Sequence, residues 1–446
     1  MIGKELESIY ANRLDEFCEI LAYHFTQGQE WKRAYEYSQK AGLKAYSHSD
    51  YEQALQYFEE ALTAIRNLPR ENSRIKKEID LCFNMRSPLV ALGRHEQWGE
   101  WIKSAEPLAK EINDNARLSN IANYLSSLHW INGEQRKAIV LGKEALDYAN
   151  RSENFSCQVA TMLHLGIYYY NIGSYSEQIQ IHEDLRERLK GEDVYKQHGL
   201  ASFPGAFSRS LIVAGMAELG NFDSIETIGN EAIDIAEKVQ NALTLAFVYN
   251  FVAMAYLRLG KLKSAIPLLE KSHDLCCCSE LKSMYAFTIG NLGCAYLLAK
   301  EFDPALSLLE EGAEEENIQA SFWPTHQLTV LADAYRLVGA LSSALETISH
   351  ALKMAGERYE RGFEAWAMLI MAMVKAAERK HDESKEWYLR TLQQATNLSM
   401  QPLVAHCHAG LANVNMHIGD KNASELEKSK SIKLYQDLGM DFWLSY

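Results

Sequence analysis

Three groups of side chains in this 446-residue sequence could do chemistry by type and spacing. Cys276, Cys277 and Cys278 stand in a row. Thiolates bind soft metals or exchange disulfides, but neighbours on a helix point about 100° apart, so three in sequence do not close on one ion. No CxxC pair occurs elsewhere. His406 and His408 flank Cys407, and His417 follows. A zinc-binding helix places its ligands at i and i+4, whereas i and i+2 lie on opposite sides, so packing and capping roles are expected here. The run "EEGAEEE" brings Glu314, Glu315 and Glu316 together. Paired carboxylates serve as acid and base where apolar surroundings raise one pKa, and this run reads instead as a solvated turn. There is no GxSxG nucleophile elbow and no GxxxxGK[ST] phosphate loop. The expectation is no catalytic residue, no metal and no cofactor.

What would position any of these residues is a repeat. Gly93, Gly133, Gly173, Gly220, Gly260, Lys300, Gly339, Arg379 and Gly419 occupy one turn slot, at steps of 40, 40, 47, 40, 40, 39, 40 and 40 residues. Four residues before the slot stands a bulky residue (Tyr169, Tyr256, Tyr296, Tyr335), and three before that a small one (Gly166, Ala253, Gly293, Ala332). Five after the slot comes another small residue (Ala138, Ala265, Ala305, Ala344), and four further an apolar one (Leu269, Leu309, Ile348). Small residues let two helix backbones approach, and bulky knobs fill the gap between neighbouring pairs. One such hairpin leaves an apolar face wet, so the core must come from stacking.

The alternation of small and bulky positions resembles the tetratricopeptide repeat, with a period of 40 in place of ~34 and helices of roughly 16 to 18 residues. HEAT and armadillo repeats share the longer period and lack this spacing. The resemblance implies an all-α fold, an α-solenoid of about ten helical hairpins in a right-handed superhelix. It also implies an inner groove lined by the first helix of each pair, with Asn120, Asn123, Trp130, Tyr170, Asn171, Asn250, Arg258, Asn291, Asp333 and Arg336 on its exposed ridge. Asparagine costs helix propensity, and its amide carries donor and acceptor, matching a peptide backbone laid along such a groove. Arg258 and Arg336 suit an acidic or C-terminal carboxylate group of a partner.

Longer stretches resemble something more specific. "LAYHFTQGQEWKRAYEYSQKAGLKA", "HGLASFP", "ERGFEAWAM", "MQPLVAHCHAGLA" and "YQDLGMDFWL" are similar to the C-terminal repeat region of bacterial regulators that place a class III adenylate or guanylate cyclase first and a STAND-type ATPase of the AAA class second. That resemblance implies a sensor or scaffold arm of a signalling protein, not itself an enzyme, whose partner is a protein, a peptide or its own cyclase and ATPase domains.

Charge and composition agree with a binding role. A balance of 45 basic against 59 acidic residues, net -14, excludes a basic stripe for nucleic acid. The apolar run Ala365–Val374 is about half the ~20 residues of a membrane span. "MIGKELESIY" lacks a signal-peptide apolar region, so a cytoplasmic location with reduced, buried cysteines is expected. Residues 1–66 form N-terminal helices and the first repeat-like units, with Ala34 and Ala54 in equivalent slots 20 apart. Residues 67–446 form the regular array, continuous apart from an inserted loop near 195–207 carrying Gly199, Pro204 and Gly205. The apolar end, Phe442, Trp443 and Leu444, either folds back as a capping helix or docks on a second copy to make a homodimer.

Overall fold

The computed structural model describes residues 2–445 apart from Ser49 and Gly93, so the first turn slot lies outside the described residues. The fold is an all-α solenoid of stacked hairpins, without a strand among the described residues. The helices are α1 (Ile2–Ile9), α2 (Cys18–Gln27), α3 (Trp31–Ser47), α4 (Tyr51–Arg66), α5 (Asn72–Asn84), α6 (Arg86–Ala91), α7 (His95–Glu111), α8 (Asn115–Ile131), α9 (Gln135–Ser152), α10 (Phe155–Asn171), α11 (Tyr175–Arg188), α12 (Pro204–Leu219) and α13 (Ile225–Val239). They continue as α14 (Ala242–Leu259), α15 (Leu262–Cys278), α16 (Lys282–Leu298), α17 (Phe302–Gly312), α18 (Glu315–Ala320), α19 (Pro324–Leu337), α20 (Leu341–Arg358), α21 (Arg361–Ala377), α22 (His381–Asn397), α23 (Gln401–Ile418), α24 (Lys421–Asp437) and α25 (Asp441–Ser445).

The chain divides into two compact units, Met1–His129 with Val140–Gln158, and Trp130–Ile139 with Val159–Tyr446. The 66/67 boundary drawn from sequence falls inside the first. There α3 packs between α2 and α4, with Ala34 and Ala54 fully buried at the crossings. A short turn over Leu68–Arg70 leads into α5, whose Glu78 lies buried between Arg66 Nε (2.8 Å) and Arg74 Nη2 (2.7 Å).

Each described turn slot takes a left-handed backbone: Gly133, Gly173, Gly220, Gly260, Gly339 and Gly419 have φ between 77° and 95°, and Lys300 and Arg379 reach 66° and 62°. Left-handed residues recur at the other junction too, at Asn113, Glu153, Gln240, Glu280, Tyr359, Ser399 and Gly439. The small slots are close approaches: a Cβ on Gly293 would lie 2.5 Å from Leu309 Cγ, at the apolar position of the repeat's second helix. Ala138, Ala265, Ala305 and Ala344 are fully buried. The bulky slot is buried at Tyr256 and half-buried at Tyr169, Tyr296 and Tyr335, with Tyr296 donating to Glu270 (3.3 Å) and Tyr335 to Glu310 (2.9 Å).

Two local expectations change. Pro204 and Gly205 do not break a helix: Pro204 opens α12, where a missing N–H costs nothing, and Gly205 fits against Val194 of the preceding 3₁₀ turn. The most apolar helix is α14, which by length and composition could cross a membrane, but 78% of it is buried within the protein. It is the core helix of its unit.

In the second unit the hairpins wind far enough to meet themselves. A Cβ on Gly133 would lie 2.7 Å from Arg358 Cγ, one on Gly173 3.1 Å from Leu398 Cδ1, and one on Gly220 2.8 Å from Leu438 Cδ2. Gly260 faces Phe442 in the same way. By contrast, nothing stands near Gly339 or Gly419. The first four glycines therefore serve the turn and also the packing of one superhelical coil on the next.

Candidate functional site

Coil-on-coil packing fills most of the inner face of the second unit. The first helices of its pairs are buried nearly all round: α12 and α14 show almost no exposed position. Phe207, Phe247, Phe251, Phe287, Trp323 and Trp130 interlock there, as in the stacked pair Phe207–Phe247 with centroids 4.1 Å apart.

Of the ten residues predicted on an open ridge, seven are at most 9% exposed: Asn123, Trp130, Tyr170, Asn171, Asn250, Arg258 and Asn291. Asn120 is half-buried, its amide oxygen 3.5 Å from Cys157 Sγ. The second unit's asparagine amides meet other side chains. Asn250 Nδ2 donates to Ser272 Oγ (2.7 Å) and Thr288 Oγ1 (2.8 Å), Asn291 Nδ2 donates to Asn250 Oδ1 (3.1 Å), and His326 Nε2 lies 3.0 Å from Asn291 Oδ1. This buried chain ties α14 to α15, α16 and α19. It satisfies groups that would otherwise cost about 1–3 kcal/mol each when buried, on the order of a lost hydrogen bond.

Three tryptophans bridge the coils in register. Trp323 Nε1 donates to Asn171 Oδ1 (2.8 Å), Trp366 Nε1 to Glu218 Oε2 (2.8 Å), and Trp443 Nε1 to the Arg258 carbonyl (2.9 Å). Their acceptors sit on α10, α12 and α14 in order. Around Glu218 the bridge is ionic: Arg258 donates through Nε (3.0 Å), its Nη2 lies 2.9 Å from the same carboxylate oxygen, and its guanidinium lies 3.8 Å over the Trp366 ring.

Past that bridge the aromatic filling runs out and a cavity of about 410 Å³ remains. Leu257, Leu297, Leu298, Val330, Leu369, Ile370 and Met373 make its walls, with Trp366, Tyr388, Tyr435 and Trp443. Its polar groups are Arg258, His326, Thr329, Asp333, Arg336, His406 and Asn413. Three residues of the predicted ridge thus come together here, Arg258, Asp333 and Arg336. Burial, with Arg258 adding to it, lowers the His326 and His406 pKa values to about 3, so both rings are neutral at pH 7. His406 Nδ1 sits 2.8 Å from Tyr435 Oη, and its ring packs edge-on to Trp443 with centroids 4.5 Å apart. Arg336 Nε donates to Asp333 Oδ1 (2.7 Å) on the partly exposed end of α19. The volume and the apolar lining with few convergent polar groups are those of a ligand pocket. The sequence did not point to Trp366, His406 or Trp443 as cavity residues, because they come together only through coils some 40 to 185 residues apart.

The other candidates lie apart. Cys276 is buried against Thr288, whereas Cys277 and Cys278 are exposed, correcting the expectation that all eight thiols are buried. His408 pairs with Glu427, and His417 stacks on His381 with centroids 5.0 Å apart. Glu314–Glu316 are exposed, Glu316 pairing with Lys282. No group of metal-binding residues occurs among the described residues. The C-terminal apolar residues are divided: Phe442 and Trp443 pack against α14 and α23, while Leu444 is exposed.

A tetratricopeptide repeat family model matches residues 244–314, which span α14 to α17, so these hairpins are repeats of that type. No curated protein matches the chain. Among solved structures, the chain is similar to a Rap protein complexed with Competence and Sporulation Factor, at 12% identity over 91% of this chain and 98% of that one, with a TM-score of 0.45. It is also similar to the apo form of RapI, at 15% identity over 63% of this chain and 98% of that one, with a TM-score of 0.46.

Proposed function

We propose that this chain is a protein-interaction module that takes up a segment of a partner at the cavity of its second unit. The observation that carries this is the cavity itself. In a unit whose inner face is otherwise filled by its own aromatics and its own asparagine chain, about 410 Å³ bounded by apolar walls and one ion pair is left open to a ligand. The role of the ten ridge residues changes accordingly. Arg258, Asp333 and Arg336 face the ligand, and the second unit's asparagines hold the frame.

By the resemblance of its longer motifs, the module is the regulatory arm of a bacterial cytoplasmic signalling protein, with a cyclase or ATPase domain as a second candidate partner. The test is photo-crosslinking from Asn413, an exposed residue lining the cavity. A benzophenone side chain at Asn413 is expected to capture one defined segment, and a synthetic peptide of that segment is expected to bind the full chain and to lose affinity for Asp333→Ala/Arg336→Ala. Crosslinks spread over many unrelated sequences, or equal affinity for the double variant, would overturn it. Crosslinks to a cyclase or ATPase domain would identify the partner as the parent protein.

A further inference from the structure

We infer that the cavity is a pocket for one uncharged apolar side chain, and that the backbone amide beside that side chain is held between Asp333 and Arg336. This rests on the interaction reading above and states what the partner must present.

The first argument is charge. Both cations of the cavity already have anions: Arg258 is held by Glu218, and Arg336 by Asp333. His326 and His406 are neutral, the former against Asn291 Oδ1 and the latter against Tyr435 Oη. A charged ligand group would enter walls of leucine, isoleucine, methionine and tryptophan with no free opposite charge deep in the cavity, and the cost of burying an unpaired charge far exceeds what apolar packing around it returns. An aliphatic or aromatic group meets no such cost and replaces water along Leu297, Leu369 and Ile370.

The second argument is the hydrogen-bonding capacity at α19. Among the described residues, Asp333 and Arg336 have each other as hydrogen-bond partner, through one oxygen and one nitrogen. That leaves Oδ2 of the carboxylate as an acceptor and the Nη groups as donors, side by side and partly exposed. A peptide unit presents the complement: an N–H for the carboxylate and a C=O for the guanidinium. A carboxylate ligand would gain the Arg336 bonds and meet repulsion from Asp333. An amine would meet the reverse. The pair therefore selects a neutral amide over either charged end.

The test uses blocked single residues on the full chain: the N-acetyl amides of tryptophan, leucine, glutamate and lysine, with 3-methylindole as an apolar probe lacking the amide, read by ligand-observed NMR. The tryptophan and leucine compounds are expected to bind. The glutamate and lysine compounds are expected to bind at least about tenfold more weakly. Ile370→Trp, which fills the cavity, is expected to abolish binding of both apolar compounds, with Met373→Trp as a second filling variant should the first fail to fold. Asp333→Leu/Arg336→Leu is expected to lose about ten- to a hundredfold for the tryptophan amide, the worth of charge-assisted hydrogen bonds, and to bind 3-methylindole unchanged. Equal binding of the charged compounds, binding untouched in both filling variants, or no binding of any probe would overturn the inference. The interaction reading above fails separately: a crosslinked partner peptide that loses affinity for Ile370→Trp, while the charged compounds bind as well as the apolar ones, would keep the cavity as the partner's site and remove only the apolar-side-chain assignment.

Discussion

Replacing Glu218 by alanine probes the bridge that closes the second unit on itself. Glu218 is 2% exposed and accepts two hydrogen bonds, from Arg258 Nε at 3.0 Å and from the Trp366 indole at 2.8 Å, with Arg258 Nη2 in ion-pair contact at 2.9 Å. Removing it leaves the Arg258 guanidinium, itself 9% exposed, without a counter-charge, which costs about 3–5 kcal/mol. It also orphans one indole donor, adding about 1–3 kcal/mol. Because both penalties fall in one network they overlap, and a total of about 4–6 kcal/mol is expected. The double variant Glu218→Leu/Arg258→Met removes both charges while keeping volume, and should lie within about 2 kcal/mol of wild type. Urea unfolding followed by tryptophan fluorescence reads both, since Trp366 reports from the site. A Glu218→Ala chain within about 1 kcal/mol of wild type would refute the reasoning, as would a double variant no more stable than the single one.

Gly220→Ala and Gly419→Ala both place a Cβ at positive φ, for about 1 kcal/mol, but only Gly220 also faces Leu438 Cδ2, Gln401 Cβ and Pro402 Cδ, which should add about 1–3 kcal/mol; equal unfolding midpoints would count against the coil-on-coil seam. Asn250→Ala is expected to cost stability, on the order of 1–3 kcal/mol, because it leaves Ser272, Thr288 and Asn291 short of partners, and to leave peptide affinity unchanged; an affinity loss with unchanged stability would restore the ridge reading. His182, His326 and His406 have folded pKa values of about 4, 3 and 3, below the 6.5 of the free side chain, so their neutral burial stabilises the fold fully above pH 6.5 and is lost as pH falls toward 3. At pH 5 this amounts to at most about 2 kcal/mol for each histidine, measurable as a falling urea midpoint between pH 7 and 5 that flattens in His406→Phe.

The repeat was legible because its demands are local. A left-handed turn wants glycine, and a close helix crossing wants Gly or Ala against Leu, so Gly293 and Leu309 announce each other from 16 positions apart. Burial of the inner ridge was not legible, since nothing near Asn250 in sequence says that a later coil covers the face it stands on. A faint signal did exist in the turn slots. Glycine is kept at all four of Gly133, Gly173, Gly220 and Gly260, where a later coil leans on the turn, whereas the later slots alternate Lys300 and Arg379 with Gly339 and Gly419, the same left-handed backbone being reached there with or without a side chain. The cavity was legible only in part. Asp333 and Arg336 lie a turn apart on one helix, while Trp443 joins them from a much later stretch of the chain.

The seam between coils has a consequence for how the protein is made. An ordinary stack of hairpins is stabilised by adjacent units, so a nascent chain can consolidate each pair as it leaves the ribosome. Here Gly133 and Gly173 find their neighbours 225 residues downstream, and Gly260 waits for Phe442. Synthesis must run on through those positions before the middle of the chain is sheltered. Long-range closure of this kind slows folding relative to local stacking, and until it is complete the growing polypeptide carries α12 and α14, two helices that end up buried nearly all round, without their final cover.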